Sequence, residues 1–134
     1  MKLLLDTPVL LMALADDPDL PQITREVIQS EKNAVCYSSA AIWEASIKHA
    51  AHPDLMPVSG RQLQDLCRKS GFAEVPVTAN HVATLETLKQ GAMTKPHVDP
   101  FDRIMLAQAK REGMLFLTNN EDIQSYGEAC VFPA

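Results

Sequence analysis

The chain has 134 residues, of which 46 % are hydrophobic, so it is long enough for one domain over residues 1–134 and too short for two. No apolar run approaches the roughly 20 residues of a membrane span, and Asp6 interrupts the apolar start where a signal peptide would continue. We therefore expect a cytoplasmic protein without a membrane anchor. The net charge of −5 would repel nucleic acid, so such a partner would have to meet a local basic surface.

Cysteine and glycine patterns exclude several classes of protein. Cys36, Cys67 and Cys130 are an odd number at wide spacing, which fits neither a disulfide framework nor a Cys-x-x-Cys site. They are expected to be ordinary core or half-buried thiols. The chain also contains no G-x-G-x-x-G motif and no P-loop, which disfavours dinucleotide and ATP chemistry.

Short apolar segments and helix-starting residues alternate along the chain. The segments lack polar alternation, which is typical of strands covered on both faces; they are residues 2–5, 34–37, 74–77, 114–117 and 130–132. Helices are expected to start between them, at Thr7 with Pro8, Pro21, Ser38 or Ser39, Ser59, Thr78, and Asp99 with Pro100, the last helix ending at Gly113. This order predicts an α/β domain with a mainly parallel sheet, and residues 52–60 and 91–100 are its longest loops.

Four acidic residues are expected at one edge of this sheet. Asp6 directly follows the first strand, Glu44 lies about one turn into the helix after the second, and Asp99 and Asp102 begin a later helix. Because the carboxyl ends of parallel strands share an edge, these carboxylates could converge there. Such a cluster needs a hard divalent cation, and Mg²⁺ or Mn²⁺ bound by oxygen ligands would suit phosphodiester hydrolysis.

Each acid also has a simpler interpretation. Asp6 could cap a turn, Glu44 could form a surface ion pair with Lys48 four residues later, and Asp99 with Asp102 could serve only to start a helix. Only Asp6 favours a functional role on its own, because an acid that ends a buried strand is costly unless paired.

Basic and aromatic residues near these acids are ambiguous as well. Lys95, Arg103, Lys110 and Arg111 could bind phosphates near the acidic edge, although a solvated face is the simpler interpretation. Trp43, next to Glu44, is expected to pack in the core or in an interface. His97 lacks a partner histidine and is expected to be a loop residue without a role in the chemistry.

The blocks LLLDT, SSAAIWEASIK, VDPFDRIMLAQAKREGMLFLTNN and SYG stand in this order along the chain. Together they resemble the PIN-domain family and, more narrowly, the VapC-type toxins of bacterial toxin–antitoxin pairs. The resemblance covers nearly the whole chain, and the block around DPFDR is its most specific part. It implies an α/β/α sandwich, endoribonuclease activity that depends on Mg²⁺ or Mn²⁺, a cognate antitoxin that occludes the site, and homodimers or toxin–antitoxin hetero-oligomers.

The resemblance also assigns site residues. The three family acids fall on Asp6, Glu44 and Asp102, and Asp99 belongs to the DPFD variant of the motif and would support the same metal. Ser39 and Thr118 fall near polar positions of such sites. In two places the chain departs from the family pattern: Pro8 replaces a frequent histidine, and Asn119 and Asn120 stand where a fourth acid is usual.

An amide supplies no charge, so one tightly held metal ion is expected rather than two, with Asn119 or Asn120 completing the polar rim. A VapC-like ribonuclease is the leading hypothesis. The alternative is a non-catalytic PIN-fold module that binds protein or RNA after losing its chemistry at the asparagines. A phosphate-handling receiver or phosphatase fits less well, because the first strand ends in Asp-Thr-Pro and no strand end supplies a phosphoacceptor with a lysine partner.

Overall fold

The computed structural model describes residues 1–89 and 99–134. Five strands alternate with seven α-helices in this part of the chain. The strands are β1 (Lys2–Leu5), β2 (Ala34–Ser38), β3 (Ala73–Val75), β4 (Leu115–Thr118) and β5 (Val131–Pro133). The helices are α1 (Thr7–Leu14), α2 (Gln22–Gln29), α3 (Ser39–Ala51), α4 (Gly60–Lys69), α5 (Ala79–Thr84), α6 (Pro100–Glu112) and α7 (Glu121–Gln124), and a 3₁₀ helix spans Leu85–Thr87.

All five strands run parallel in one sheet with the order β3-β2-β1-β4-β5. Successive strands first add outward from β1 to β3, and the chain then crosses back to place β4 on the other side of β1. Helices flank the sheet, which confirms the predicted α/β/α architecture. The strand order reverses between β1 and β4, and in open α/β sheets a crevice forms at such a switch point, outside the carboxyl ends of the strands.

The core explains why the strands lack polar alternation. Leu3, Leu4 and Leu5 are completely buried, so β1 is covered on both faces. Helix α6 is also central, because every residue from Ile104 to Ala109 is buried. Cys36 and Cys67 are buried and Cys130 is half-buried, all as free thiols, which confirms the interpretation made from their spacing.

Several element boundaries differ from the predicted ones by one or two residues. β3 ends at Val75 because Pro76 has no N–H to donate to a sheet. β4 begins at Leu115 because the N–H of Met114 still bonds to Ala109 O, at the end of α6. Residues 91–98 of the predicted 91–100 loop, including Lys95 and His97, lie outside the described residues.

Most of the predicted caps are present. Ser59 and Thr78 both form capping boxes, and Ser38 caps α3 through a bond from the N–H of Ala40. Asp99 caps α6, which ends at Gly113 with a positive φ of 67°. The cap of α1 was assigned wrongly to Thr7: Asp6 accepts the bond from Val9 N at 2.9 Å, and Thr7 is the first helical residue. No helix within residues 1–89 and 99–134 is long and apolar enough to cross a membrane.

Candidate active site

Asp6 lies at the switch point, immediately after β1, and its carboxylate is fully buried. One oxygen caps α1, and the other accepts a 2.5 Å hydrogen bond from the hydroxyl of Thr118 at the end of β4. Burial raises the pKa of Asp6 to about 6, and the charge of Glu44 adds to this, although the bonds from Thr118 and from the backbone amides of Val9 and Asn119 oppose it. A deprotonated Asp6 at neutral pH therefore gains from a nearby cation.

Asp102 lies in the first turn of α6 and is 8 % exposed. Burial is the largest cause of a pKa raised to about 7, and the hydrogen bond from Asn120 partly offsets it. The negative charges of Asp6, Asp99 and Glu44 raise this pKa further. The four predicted acids are thus close enough to act electrostatically on the same carboxyl group, as expected from their positions at the sheet edge.

Glu44 is buried, with 5 % exposure, rather than lying on a solvated helix surface. Its Oε1 accepts a 2.7 Å hydrogen bond from the hydroxyl of Thr7, and its Oε2 accepts a 2.5 Å bond from the ammonium of Lys48. The ion pair predicted from the sequence therefore exists, but its carboxylate is buried among the other acids and does not lie on the helix surface. Thr7 was expected only to cap a helix, and no local pattern predicts its contact with a residue 37 positions away.

Lys48 also joins Asp99 to this cluster. Its Nζ lies 3.3 Å from Oδ2 of Asp99, whose Oδ1 caps α6 through a 2.8 Å bond from Phe101 N. Burial lowers the pKa of Lys48, but its contacts with Glu44 and Asp99 outweigh that effect and raise it. Lys48 therefore stays charged and holds α3 against the start of α6.

Asn120 does not offer its carbonyl oxygen freely to a metal. Its Oδ1 accepts bonds from the backbone N–H groups of Asp122, at 2.9 Å, and Ile123, so it caps α7. Its amide nitrogen donates to Oδ2 of Asp102 at 2.8 Å. Asn119 is exposed. In this arrangement Asn120 orients Asp102 by hydrogen bonding.

Other residues singled out in the sequence lie elsewhere. Lys110 and Arg111 are in the last turn of α6, at the opposite end from Asp102, roughly 12 Å or more along the axis. The alternative that they bind phosphates at the acidic edge is therefore wrong: Arg111 is exposed, as the simpler interpretation predicted, and Lys110 pairs with Glu128. The hydroxyl of Ser39 accepts a bond from Val77 N and links α3 to the segment after β3.

Trp43 is 61 % exposed, so the core interpretation was wrong. Its ring meets that of Phe101 edge-on, with centroids 4.8 Å apart and an interplanar angle of 81°. Next to it, the ammonium of Lys48 lies 5.8 Å from the centroid of Phe101. An aromatic pair therefore borders the acidic cluster on its solvent side.

A groove of about 440 Å³ opens beside the cluster. Its polar lining residues are Thr7, Glu44, Lys48 and His52. The apolar lining includes Pro8, at the position where the family often has histidine, and the exposed Leu55. A linear substrate or peptide could reach Glu44 through this opening.

The donor set suits a hard divalent cation, although the arrangement is incomplete as it stands. No three His, Cys, Asp or Glu side chains among residues 1–89 and 99–134 are placed to hold a metal ion together. Lys48 engages Glu44 and Asp99, which leaves Asp6 and Asp102 as the buried carboxylates without an ion-pair partner among these residues. Both offer oxygen ligands of the kind that Mg²⁺ and Mn²⁺ prefer.

A comparison with models of known protein families identifies the family of this chain. The sequence profile described as PIN domain matches residues 3–129, which is nearly the whole chain. This chain belongs to the PIN domain family. The resemblance seen in the sequence blocks is thereby confirmed. No curated protein sequence matches this PIN domain closely enough to count as a relative.

Solved structures share the fold of this PIN domain. VapBC2 from Rickettsia felis bound to a DNA fragment from its promoter has a TM-score of 0.66 at 14 % identity, covering 100 % of this chain and 98 % of that one. A toxin–antitoxin complex from Klebsiella pneumoniae has a TM-score of 0.58 at 19 % identity, with 96 % and 94 % covered. FitAcB from Neisseria gonorrhoeae has a TM-score of 0.58 at 16 % identity, with 97 % and 96 % covered. At these identities the similarity concerns the fold.

Proposed function

We propose that this PIN domain is an endoribonuclease that depends on Mg²⁺ or Mn²⁺ and acts as the toxin of a toxin–antitoxin pair. The observation that carries the proposal is the pair of buried carboxyl groups, Asp6 and Asp102, at the switch point of the sheet. Burial raises the pKa of both, so their charged forms lack compensation. Membership of the PIN family, whose members are generally nucleases, supports the same reaction class.

Asp6 and Asp102 would hold the metal ion, and Asp99 would add negative charge beside it. Thr118 and Asn120 keep these two carboxylates in place through their hydrogen bonds. A bound divalent ion supplies Lewis-acid stabilisation of a phosphoryl group and lowers the pKa of water. The carboxylate oxygens of Asp6 and Asp102 would bind the ion through the lone pairs that these hydrogen bonds leave free.

Glu44 would orient the attacking water and accept its proton. Thr7 and Lys48 each donate to one of its carboxylate oxygens, which fixes the plane of the group. Each oxygen keeps a further lone pair for a water molecule. Cleavage then breaks the bond between phosphorus and the leaving ribose oxygen, which takes a proton from solvent.

The proposed partners follow from the charge and from the structural comparisons. A neutralising cation at the acidic edge would let RNA approach despite the net charge of −5. A cognate antitoxin is supported by the similarity to the Klebsiella toxin–antitoxin complex, and an arginine from such a partner could form charge-assisted hydrogen bonds with the same carboxylates. We further propose a cytoplasmic location and a homodimer or a hetero-oligomer with the antitoxin.

Purified protein freed of any partner tests the activity. We expect cleavage of single-stranded RNA with Mg²⁺ or Mn²⁺, its loss with a chelator, and a decrease of roughly 100-fold or more in Asp6→Asn or Asp102→Asn, since each removes charge from the metal site. Asp65→Asn is the matched control, because Asp65 is an exposed acid on α4. Absence of cleavage by the folded wild-type protein would favour the non-catalytic binding module.

A further inference from the structure

Among residues 1–89 and 99–134, Lys48 is the basic side chain that forms ion pairs within the acidic cluster of Asp6, Glu44, Asp99 and Asp102. Its ammonium contacts Oε2 of Glu44 at 2.5 Å and Oδ2 of Asp99 at 3.3 Å. The side chain is 42 % exposed, whereas that of Glu44 is 6 % exposed, so the lysine reaches inward from the solvent side with its stem beside Phe101. Glu44 lies four positions before Lys48, and Asp99 lies 51 positions after it, so the lysine joins distant segments of the chain.

The cluster therefore has two halves that differ in charge compensation. Glu44 and Asp99 share one positive charge. Asp6 and Asp102 make no ion pair with any lysine, arginine or histidine of residues 1–89 and 99–134, and their partners Thr118 and Asn120 are neutral. A divalent cation gains most in the uncompensated half.

The compensated half has no room for a metal ion while Lys48 stays. Oxygen ligands surround Mg²⁺ or Mn²⁺ at about 2.0–2.2 Å, and the ammonium already lies 2.5 Å from the Glu44 oxygen that would bind. A divalent cation on that oxygen would lie within about 5 Å of the ammonium, where two like charges repel strongly, so it would have to displace Lys48 first.

We propose that Lys48 takes the place of a second divalent cation and thereby limits the site to one metal ion. This inference rests on the proposed function only in assuming that Asp6 and Asp102 bind the first ion. The absence of a fourth acid at Asn119 and Asn120 agrees with this inference. At one side of the cluster an acidic ligand for a second ion is missing, and at the other side Lys48 already supplies a positive charge.

Calorimetric titration with Mn²⁺, checked by electron paramagnetic resonance of free Mn²⁺, tests the proposal on the full chain. Wild-type protein and Lys48→Arg should bind one ion. Lys48→Met keeps the apolar stem and removes the charge, so it should bind a second ion. Lys69→Met, on the exposed end of α4, is the control for loss of a surface charge and should behave as wild type.

Two results would overturn the inference: two ions bound by the wild type, or a folded Lys48→Met protein that still binds one ion. If Lys48→Met does not fold, Lys48→Gln replaces it, with the same expected outcome. The proposed function fails separately. Wild-type protein that binds one ion but cuts no RNA would contradict the ribonuclease and leave the role of Lys48 standing, whereas a folded wild type that binds none would contradict both.

Discussion

The amide nitrogen of Asn120 donates a 2.8 Å hydrogen bond to Oδ2 of Asp102, while the carbonyl oxygen of the same side chain caps α7. One residue thus orients a buried carboxylate and starts a helix at the end of β4. This double use fixes which end of the amide faces the acidic cluster. We therefore propose that Asn120 positions Asp102 and does not itself bind the metal ion.

Asn120→Asp should lower the stability of the metal-free protein and raise its affinity for the metal ion. Aspartate caps a helix as well as asparagine does, so α7 is retained. The donor to Asp102 is lost and a second negative charge faces it, which should lower the free energy of unfolding by about 1–3 kcal/mol at pH 8. Denaturant unfolding with and without Mn²⁺ measures this. Asn80→Asp, an exposed site on α5, adds the same charge as a control, and equal effects of the two changes would contradict the assigned role.

The raised pKa values predict how stability depends on pH. The pKa of Asp102 is about 7 in the folded protein, against 3.8 for the free group, so the native state binds the proton more tightly than the unfolded state. Its charged form therefore costs stability increasingly from about pH 4 to pH 7, and this cost remains at higher pH.

Asp102→Asn should accordingly stabilise the metal-free protein by up to about 4 kcal/mol at pH 8 and by little near pH 4. Mn²⁺ should stabilise the wild type more than this variant. Thermal unfolding across this pH range, in a chelator, measures the difference. Asp65→Asn should show no such trend, and an Asp102→Asn protein less stable than the wild type at pH 8 would contradict the destabilising role of the charged Asp102.

Gln108 should matter for folding rather than for chemistry. It is completely buried in α6, accepts a bond from Ser38 Oγ at 2.5 Å and donates to Val75 O at 3.1 Å. Gln108→Leu leaves these groups without their partner and should cost about 2 kcal/mol. A double-mutant cycle with Ser38→Ala should give a coupling energy above about 0.5 kcal/mol; strictly additive effects would show that the contact contributes nothing.

Gly60 should tolerate no side chain at the point where α4 meets α3. A Cβ at this position would lie 2.0 Å from Ser46 Oγ and 2.8 Å from Ile42 O. The serine can rotate away, but the backbone carbonyl cannot, so Gly60→Ala should lose about 1–3 kcal/mol despite its higher helix propensity. Removing the serine as well, in Ser46→Ala with Gly60→Ala, should restore only part of this loss. Arg61→Ala, the exposed neighbour, should be nearly neutral in the same denaturant assay.

The sheet and its caps could be predicted because their signals are local. Asp99, Pro100 and Gly113 mark the ends of α6 through the φ angles and hydrogen bonds that each residue type allows. The lack of polar alternation in the strand segments likewise predicted that both of their faces are buried. With the parallel order known, the positions of Asp6 and Asp102 at one edge followed from topology.

The contacts of the cluster could not be predicted, because they join distant segments. Thr7 with Glu44 and Lys48 with Asp99 are separated by 37 and 51 residues, and nothing in the sequence selects these pairs among other polar ones. The spacing of Glu44 and Lys48 predicted a pair correctly but not its burial. Lys110 was placed wrongly near the acids because it is close to Asp102 in sequence. The two residues in fact lie at opposite ends of α6.

A manganese-soaked crystal measured at the metal's absorption edge tests most directly whether Asp6 and Asp102 form the metal centre on which RNA cleavage depends. We predict one anomalous peak per chain, with oxygens of Asp6 and Asp102 at about 2.0–2.6 Å and Lys48 still on Glu44 and Asp99. A peak bound by Glu44 and Asp99 instead, or no peak in a protein that cleaves RNA with Mn²⁺, would contradict the account.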